Sequence, residues 1–329
     1  MKKFLNRVDT ALTESLDGLA AAHSDILVLG EGRKFVRRRT LKAGKVALVS
    51  GGGSGHEPLH AGFVGEGMLD AACPGQVFTS PTPDQVMEAA EAVDTGAGVL
   101  FIVKNYEGDV MNFEMAAEIA SGPVARVIVN DDVAVENSLY TTGRRGVAGT
   151  LIVEKIVGAA AERGADLAAL QALGERVNAA TRSMGVALTS CTVPAAGKPM
   201  FDIGPDEMEF GVGIHGEPGR RRDKLRSADD IASEICSAVT QDLGAIQGRQ
   251  ALLFINGFGA TPLMELYLMY NAARRRLESS GLEIARSLVG SYVTSLDMAG
   301  CSISLSLLDD ETMSAWDAPA WTAAFRKGR

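Results

Sequence analysis

Four histidines, His23, His56, His60 and His215, are the only imidazoles in a chain of 329 residues, and two of them sit in glycine-rich stretches. His215 ends an apolar run inside GVGIHGEPG (211–219). The flanking glycines give its ring no neighbouring side chain, and the loop has little else to offer chemically. His215 is therefore read as a reactive or ligand-binding group, against the alternative of a structural histidine. The same stretch matches G-x-G-x-x-G through Gly211, Gly213 and Gly216. That fingerprint requires a following helix, whereas Glu217-Pro218-Gly219 and an arginine run come next. The match is read as accidental.

The second constellation is SGGGSGHEP (50–58). Glycines between a strand and a helix expose backbone N–H groups and admit a ligand closely. The stretch is neither a phosphate-binding G-x-x-x-x-G-K-[S/T] loop nor a dinucleotide fingerprint, because His56 stands where the third glycine belongs. The same residue spoils a G-x-S-x-G elbow around Ser54. A polar-ligand loop carrying Gly53, Ser54 and His56 is one reading, and a purely structural turn the other. The third constellation, KNYEGDVMNFE, crowds Lys104, Asn105, Glu107 and Asp109 into a strand-to-helix turn. Asp109 is either the N-cap of the following helix or a general base.

These residues need elements to hold them. Apolar periodicity predicts a helix over 4–22 through Phe4, Leu5, Val8, Leu12, Leu16 and Leu19. KVALVS (45–50), GVLFIVK (98–104) and VARVIV (124–129) read as buried strands. Helices are expected over EPLHAGFVGEG, TPDQVMEAAEAVD and DVMNFEMAAEIAS, the second capped by Thr82 with Pro83 at its first position. Two further helices are placed at 146–163 and 166–182. The second half reads as the strand EFGVGI, a helix at 228–241, the strand ALLFI, a helix at 261–280, and the strands IARSLV and SISLSLL.

The expected fold is therefore α/β in two domains, a mostly parallel sheet flanked by helices over 1–184 and a smaller α/β (α+β) domain over 185–329. Ligands of such sheets bind at the carboxyl ends of the strands. That places the glycine loop after Ser50 and the turn after Lys104 at one rim.

Composition narrows the function classes. A net charge of −9 repels phosphate backbones and argues against nucleic acid as partner. The basic runs Arg33 to Arg39 and Gly219 to Arg226 read as solvated faces, with docking of an acidic or phosphate-bearing partner as the alternative for the second. Cys73, Cys191, Cys236 and Cys301 lie far apart without a C-x-x-C pair, which suits neither a zinc site nor a disulfide framework. No signal peptide or membrane span is recognisable, so a cytoplasmic place is expected.

The segments VALVSGGGSGHEPLHAGFVGEGML, ACPGQVFTSPTPDQV, KNYEGDVMNFE, DDVAV, GRRGVAGT, CTVPAAGKPMF, MEFGVGIHGEPGR, GATPLMELY and TSLDMAG, in that order, resemble the substrate-binding subunit of the dihydroxyacetone kinase family. The resemblance implies that a ring nitrogen of His215 adds to the ketone carbon of dihydroxyacetone to give a hemiaminal. It implies that His56 and Asp109 hydrogen-bond the substrate oxygens, that Gly53 offers an N–H, and that Asp109 is the base for the attacking hydroxyl. Ser54 and Lys104 complete the expected substrate-binding set, and Glu217 is expected to orient His215. No metal and no cofactor are expected on this chain. ADP or ATP with magnesium belongs, by the resemblance, to a helical partner subunit recharged by a phosphoprotein of the phosphotransferase system. The chain stops at Arg329 without a helical nucleotide-binding domain, which fits a separate subunit. A homodimer is expected by the same likeness. Two other readings stay open: a ketone sensor that regulates transcription, and a kinase subunit for erythrulose or glyceraldehyde. A nicotinamide-dependent oxidoreductase rests on Gly211 to Gly216 alone.

Overall fold

Strands β3 (Ala47–Ser54) and β6 (Val99–Lys104) are buried along their whole length, as unbroken apolar runs require when helices cover both faces of a sheet. The computed structural model describes residues 2–135, 143–217 and 219–328. Before β3 come α1 (Ala11–Ala22), β1 (Leu27–Leu29) and β2 (Val36–Arg38). After it come β4 (Gly65–Glu66), β5 (Ala71–Val77), α2 (Pro83–Val93), β6, α3 (Glu107–Ile119), β7 (Val124–Val129), α4 (Gly149–Glu162) and α5 (Leu167–Ala179). The first sheet has the order β1-β2-β5-β3-β6-β7. Its central pairs, β3 with β5, β3 with β6 and β6 with β7, are parallel.

The second half contains β8 (Thr181–Ala187), β9 (Glu207–Phe210), β10 (Arg221–Lys224), α6 (Ala228–Leu243), β11 (Gln250–Gly257), α7 (Leu263–Glu278), β12 (Glu283–Gly290) and β13 (Gly300–Leu308). It forms a sheet of order β10-β9-β8-β13-β11-β12, in which only β11 and β12 run parallel. This is the expected α/β layout, with a mixed second sheet. After α8 (Asp310–Asp317), strands β14 (Ala320–Thr322) and β15 (Arg326–Lys327) form a small sheet with β4, so the C-terminal tail returns to the first half.

Helix α4 lies between the two large sheets and contacts β3, β6 and β7 on one side and β8 and β13 on the other. Its sequence GTLIVEKIVGAAAE is apolar nearly all round, and residues 149–161 are all buried. Gly158 permits this packing, because a Cβ there would lie 2.5 Å from the Gly67 carbonyl oxygen.

Several expectations shift. The first helix begins at Ala11, and Phe4 and Val8 are exposed, because the apolar spacing before Thr10 meets no core. EPLHAGFVGEG forms no α-helix, only a single 3-10 turn over Ala61–Phe63. Its backbone closes turns from Leu59 to His56 and from Phe63 to His60, followed by the short strand β4. The carbonyl of His56 also accepts from Thr294 N–H, a tertiary bond that no local pattern contains. The helix expected to reach 182 ends at Ala179, and Thr181 starts β8, so the second sheet's first strand crosses residue 184. EFGVGI is a strand only to Phe210. The capping of α2 by Thr82, Pro83 and Gln85 is as expected, with Thr82 N–H donating to Gln85 Oε1 at 3.0 Å. Both basic runs find carboxylates of this chain, including Arg33 with Asp17, Arg38 with Asp70 and Glu162, and Arg221 and Arg226 with Glu234. The four cysteines are buried and free.

Replacing Gly158 by Ala is expected to destabilise the fold by about 1–3 kcal/mol, the usual range for overpacking against backbone. Urea unfolding monitored by circular dichroism measures it.

Candidate active site

The glycine run is not a loop. Gly51, Gly52 and Gly53 continue β3 and pair with Cys73, Pro74 and Gly75 of β5. Glycine is needed for lateral clearance: a Cβ at Gly52 would lie 2.1 Å from Lys104 Nζ, and one at Gly53 2.5 Å from Thr79 N. The strand thus lets a lysine cross beside it and leaves Gly53 lining a cavity.

His56 follows the strand and is fully buried. Its Nδ1 lies 2.8 Å from the Thr294 carbonyl oxygen. A carbonyl only accepts, so Nδ1 carries the proton and Nε2 the lone pair of the neutral ring. Nε2 has no partner. Burial, with smaller contributions from His215 and Lys104, holds the His56 pKa well below its ordinary value. The ring stacks on Phe78 at 5.1 Å.

His215 sits in the turn after β9. Three rings meet its own nearly edge-on: Tyr106 at 4.4 Å, His56 at 4.6 Å and Phe78 at 5.4 Å between centroids. The residues flanking His215 offer its ring no cover, and aromatics distant in the chain enclose it. Nδ1 is buried without a partner, which leaves Nε2 as the ring nitrogen toward the cavity. Burial, then the charges of Lys104 and Arg145, push the His215 pKa down to about 3. The ring is neutral at pH 7 and its lone pair is available.

Glu217 orients the loop and not the ring. Its Oε2 accepts from the His215 backbone N–H at 2.9 Å, and its Oε1 lies 3.4 Å from Arg145 Nη1. Arg145 also donates to the Gly211 carbonyl and to Asp132 Oδ2, each at 2.7 Å. A Cβ at Gly213 would collide with Glu217 Oε1, so that glycine makes room for the carboxylate. Pro218, inside the motif, lies outside the described residues. Described chain after it enters β10, which pairs antiparallel with β9. Among the described residues no helix begins directly after Gly216, as the dinucleotide reading of Gly211 to Gly216 requires, and that reading fails.

Asp109 is the third residue of α3 and not its cap, a position held by Tyr106. Its Oδ2 lies 3.5 Å from Lys104 Nζ, and its Oδ1 is buried without a partner. Burial raises its pKa, while Lys104 and Ser80 oppose that rise. Lys104 itself is fully buried and donates to His60 Nε2 at 2.9 Å. Ser54 faces elsewhere: its hydroxyl donates to the Gly75 carbonyl at 2.7 Å.

Gly53, Phe78, Tyr106, Asp109, Asn112 and His215 line one cavity of about 850 Å³. It sits at the carboxyl ends of β3 and β6, as the parallel sheet predicts. The structure therefore brings Gly53, His56, Asp109 and His215 together, with Lys104 directly behind Asp109. Sequence reasoning missed Phe78, Tyr106, Arg145 and Thr294, which hold these groups. Arg145 stood in the GRRGVAGT segment but carried no chemical signal; Phe78, Tyr106 and Thr294 act through contacts distant in sequence. Among the described residues, no group of three or more His, Cys, Asp or Glu is placed to hold a metal ion. No described helix is long and apolar enough to cross a membrane. The arrangement can add a neutral imidazole to an electrophilic carbon and take a proton from a hydroxyl beside it.

A family model described as the Dak1 domain matches residues 17–324. A protein of Listeria innocua named "PTS-dependent dihydroxyacetone kinase 1, dihydroxyacetone-binding subunit DhaK" is 51% identical over 94% of this chain and 95% of its own length. One of Escherichia coli, named "PEP-dependent dihydroxyacetone kinase, dihydroxyacetone-binding subunit DhaK", is 49% identical over the full length of both. A solved structure described as the "Dihydroxyacetone kinase operon co-activator Dha-DhaQ" superposes with a TM-score of 0.90 at 33% identity, covering 96% of this chain and 98% of that one. The dihydroxyacetone kinase of C. freundii, solved in complex with AMP-PNP and Mg2+, gives 0.89 at 34% identity, over 99% of this chain and 61% of that one.

His56, His60 and His215 all have depressed pKa values and stay neutral in the fold. Unfolding lets each bind a proton below about pH 6.5. Their contribution is present above that pH and lost as pH falls toward the folded values. The thermal midpoint is expected to fall between pH 7 and pH 5, and to fall less in His215→Asn. Differential scanning calorimetry at both pH values tests this.

Proposed function

The chain belongs to the Dak1-domain family of dihydroxyacetone kinases, and from that premise we propose that it is the ketone-binding subunit of a two-subunit kinase. The observation that carries this reading is the convergence of a neutral His215 and a buried Asp109 on one cavity, with His56 and its free Nε2 packed against the His215 ring.

His215 adds through Nε2 to the carbonyl carbon of dihydroxyacetone. A C–N bond forms as the C=O π bond opens, the carbonyl oxygen takes up a proton to become a hydroxyl, and the neutral ring loses its single N–H proton, so the adduct carries no net charge. The step favours an uncharged ring, which burial supplies. His56 Nε2 accepts from a substrate hydroxyl, and Gly53 offers its N–H. Asp109 takes the proton of the hydroxyl that attacks phosphorus. Anchoring a small, flexible triose in one orientation is where phosphoryl transfer gains most, since that reaction rests on positioning and charge. The adduct also separates a ketone from glycerol, which differs little in size.

The phosphoryl donor belongs to a helical partner carrying nucleotide and magnesium, recharged through a phosphotransferase-system phosphoprotein. The names of the Listeria innocua and Escherichia coli relatives support this, as does the nucleotide complex of the C. freundii kinase, which extends well beyond the region shared with this chain. A homodimer and a cytoplasmic place complete the reading.

A second reading, a ketone sensor, draws on the likeness to the operon co-activator. Asp109 separates the two. A sensor has no use for a buried base beside a lysine, whereas phosphorylation does. Erythrulose and glyceraldehyde are the alternative substrates.

Carbon NMR of carbonyl-labelled dihydroxyacetone is expected to show a tetrahedral carbon with the wild-type chain and none with His215→Ala. An unchanged ketone signal with the wild type overturns the covalent role. Asp109→Asn is expected to keep the adduct. With the nucleotide-bearing subunit added, it should lose about 10²-fold or more of turnover, the usual share of a general base. Phosphorylation by ATP without a partner overturns the two-subunit reading.

A further inference from the structure

A second row of buried polar groups lies behind the site. Lys104 Nζ lies 2.9 Å from His60 Nε2, and His60 Nδ1 lies 2.7 Å from Glu154 Oε1. Lys104 and Glu154 are fully buried and His60 is 6% exposed. Glu154 comes from α4, the helix between the two sheets, and is one of only two charged residues among the buried positions of that helix.

The hydrogen bonds fix the tautomer of His60 from both ends. An ammonium has donors only, so Nε2 must accept from Lys104. Nδ1 therefore carries the proton and donates to Glu154. Ser50 agrees: its hydroxyl donates to the Ile102 carbonyl at 2.6 Å, so toward Nδ1, 3.1 Å away, its oxygen can only accept. Lys104 then has two protons left, and these face the Gly51 carbonyl oxygen at 3.4 Å and Asp109 Oδ2 at 3.5 Å.

We propose that His60 and Glu154 are positioning residues for the phosphoryl-transfer step: Glu154 holds His60 in the Nδ1–H form, and His60 thereby aims the Lys104 ammonium at Asp109. The aimed charge keeps the Asp109 carboxylate ionised and ready to take a proton. Neither residue lines the front cavity, and His60 lines a separate one of about 490 Å³ behind the glycine strand. Their effect therefore reaches the substrate only through Lys104. The other titratable groups facing this row are His56, His215 and Tyr106, none of which carries charge at neutral pH. This proposal rests on the kinase reading above for its activity readout and is independent of it for its structural one.

The test uses Glu154→Gln and His60→Gln. Glutamine at 154 keeps the size but can donate, which allows His60 to turn to the Nε2–H form and present a donor to Lys104. Glutamine at 60 keeps an acceptor for Lys104 without needing Glu154. Nitrogen-15 NMR of histidine-labelled protein reads the tautomer directly. The expected result is Nδ1–H for His60 in the wild type and loss of that signal in Glu154→Gln. With the nucleotide-bearing subunit, Glu154→Gln is expected to lower kcat about tenfold, a partial loss of the roughly 10²–10⁴-fold worth of a general base. Dihydroxyacetone binding should change less than twofold.

The acid limb of the kcat profile should move to higher pH by about one unit, because a carboxylate losing a cation within about 4–6 Å has its pKa raised. His60→Gln in the Glu154→Gln background should restore part of kcat. An Nε2–H wild-type ring, an unmoved acid limb, or parallel losses of kcat and ketone binding would each overturn the proposal. A wild-type chain that never phosphorylates ketone with its partner defeats the kinase reading instead, and the nitrogen spectra still decide the orientation of His60.

Discussion

One ammonium group, Lys104 Nζ, is buried where only glycines leave it room, and the site is arranged around its charge. It stands beside Gly52, below Asp109, and within electrostatic reach of His56 and His215. An unpaired buried cation is too costly to keep, so carboxylates and acceptors must surround it. The same charge works against protonation of the imidazoles nearby, adding to what burial already does. One cation thus supports an ionised acid and neutral rings in a single pocket. Environments that push neighbouring titratable groups apart in this way let one pocket hold a carboxylate beside uncharged imidazoles.

The second constraint is the route of the backbone. Parallel strands β3 and β6 end side by side, which delivers the glycine run and the Lys104–Asp109 turn to one rim. The opposite wall comes from the turn after β9 in the other sheet, fastened by Glu217, Arg145 and Asp132. This network holds the His215 backbone, while aromatic rings hold its side chain.

Much of this was legible in the chain. Strands β3, β6 and β7 and helices α1 to α5 announced themselves through continuous apolar runs, helical spacing and the Thr82–Pro83 cap, and the rim position of the motifs followed from their place after strands, whereas the short β1 and β2 and the proline- and glycine-bearing β5 carried no such signal. His56, Asp109 and His215 stood out because few histidines exist and because glycines or a strand end flanked each one. The illegible parts depend on contacts between distant segments. EPLHAGFVGEG carries helical spacing but spends its carbonyls on turns and on Thr294. Asp109 has the composition of a cap, yet its burial beside Lys104 is a fact of packing. The roles of Tyr106, Phe78 and Arg145 are invisible locally, since an aromatic in a loop and an arginine in a basic pair have many uses.

The bond between His56 Nδ1 and the Thr294 carbonyl joins residues 238 positions apart and ties the proton of one ring to the seating of the two halves of the molecule. If the halves part, that ring loses its assigned face and the pocket loses the histidine that the other half contributes. Such a protein has no half-strength form. Neither sheet keeps the pocket without the other, so the two act as one unit.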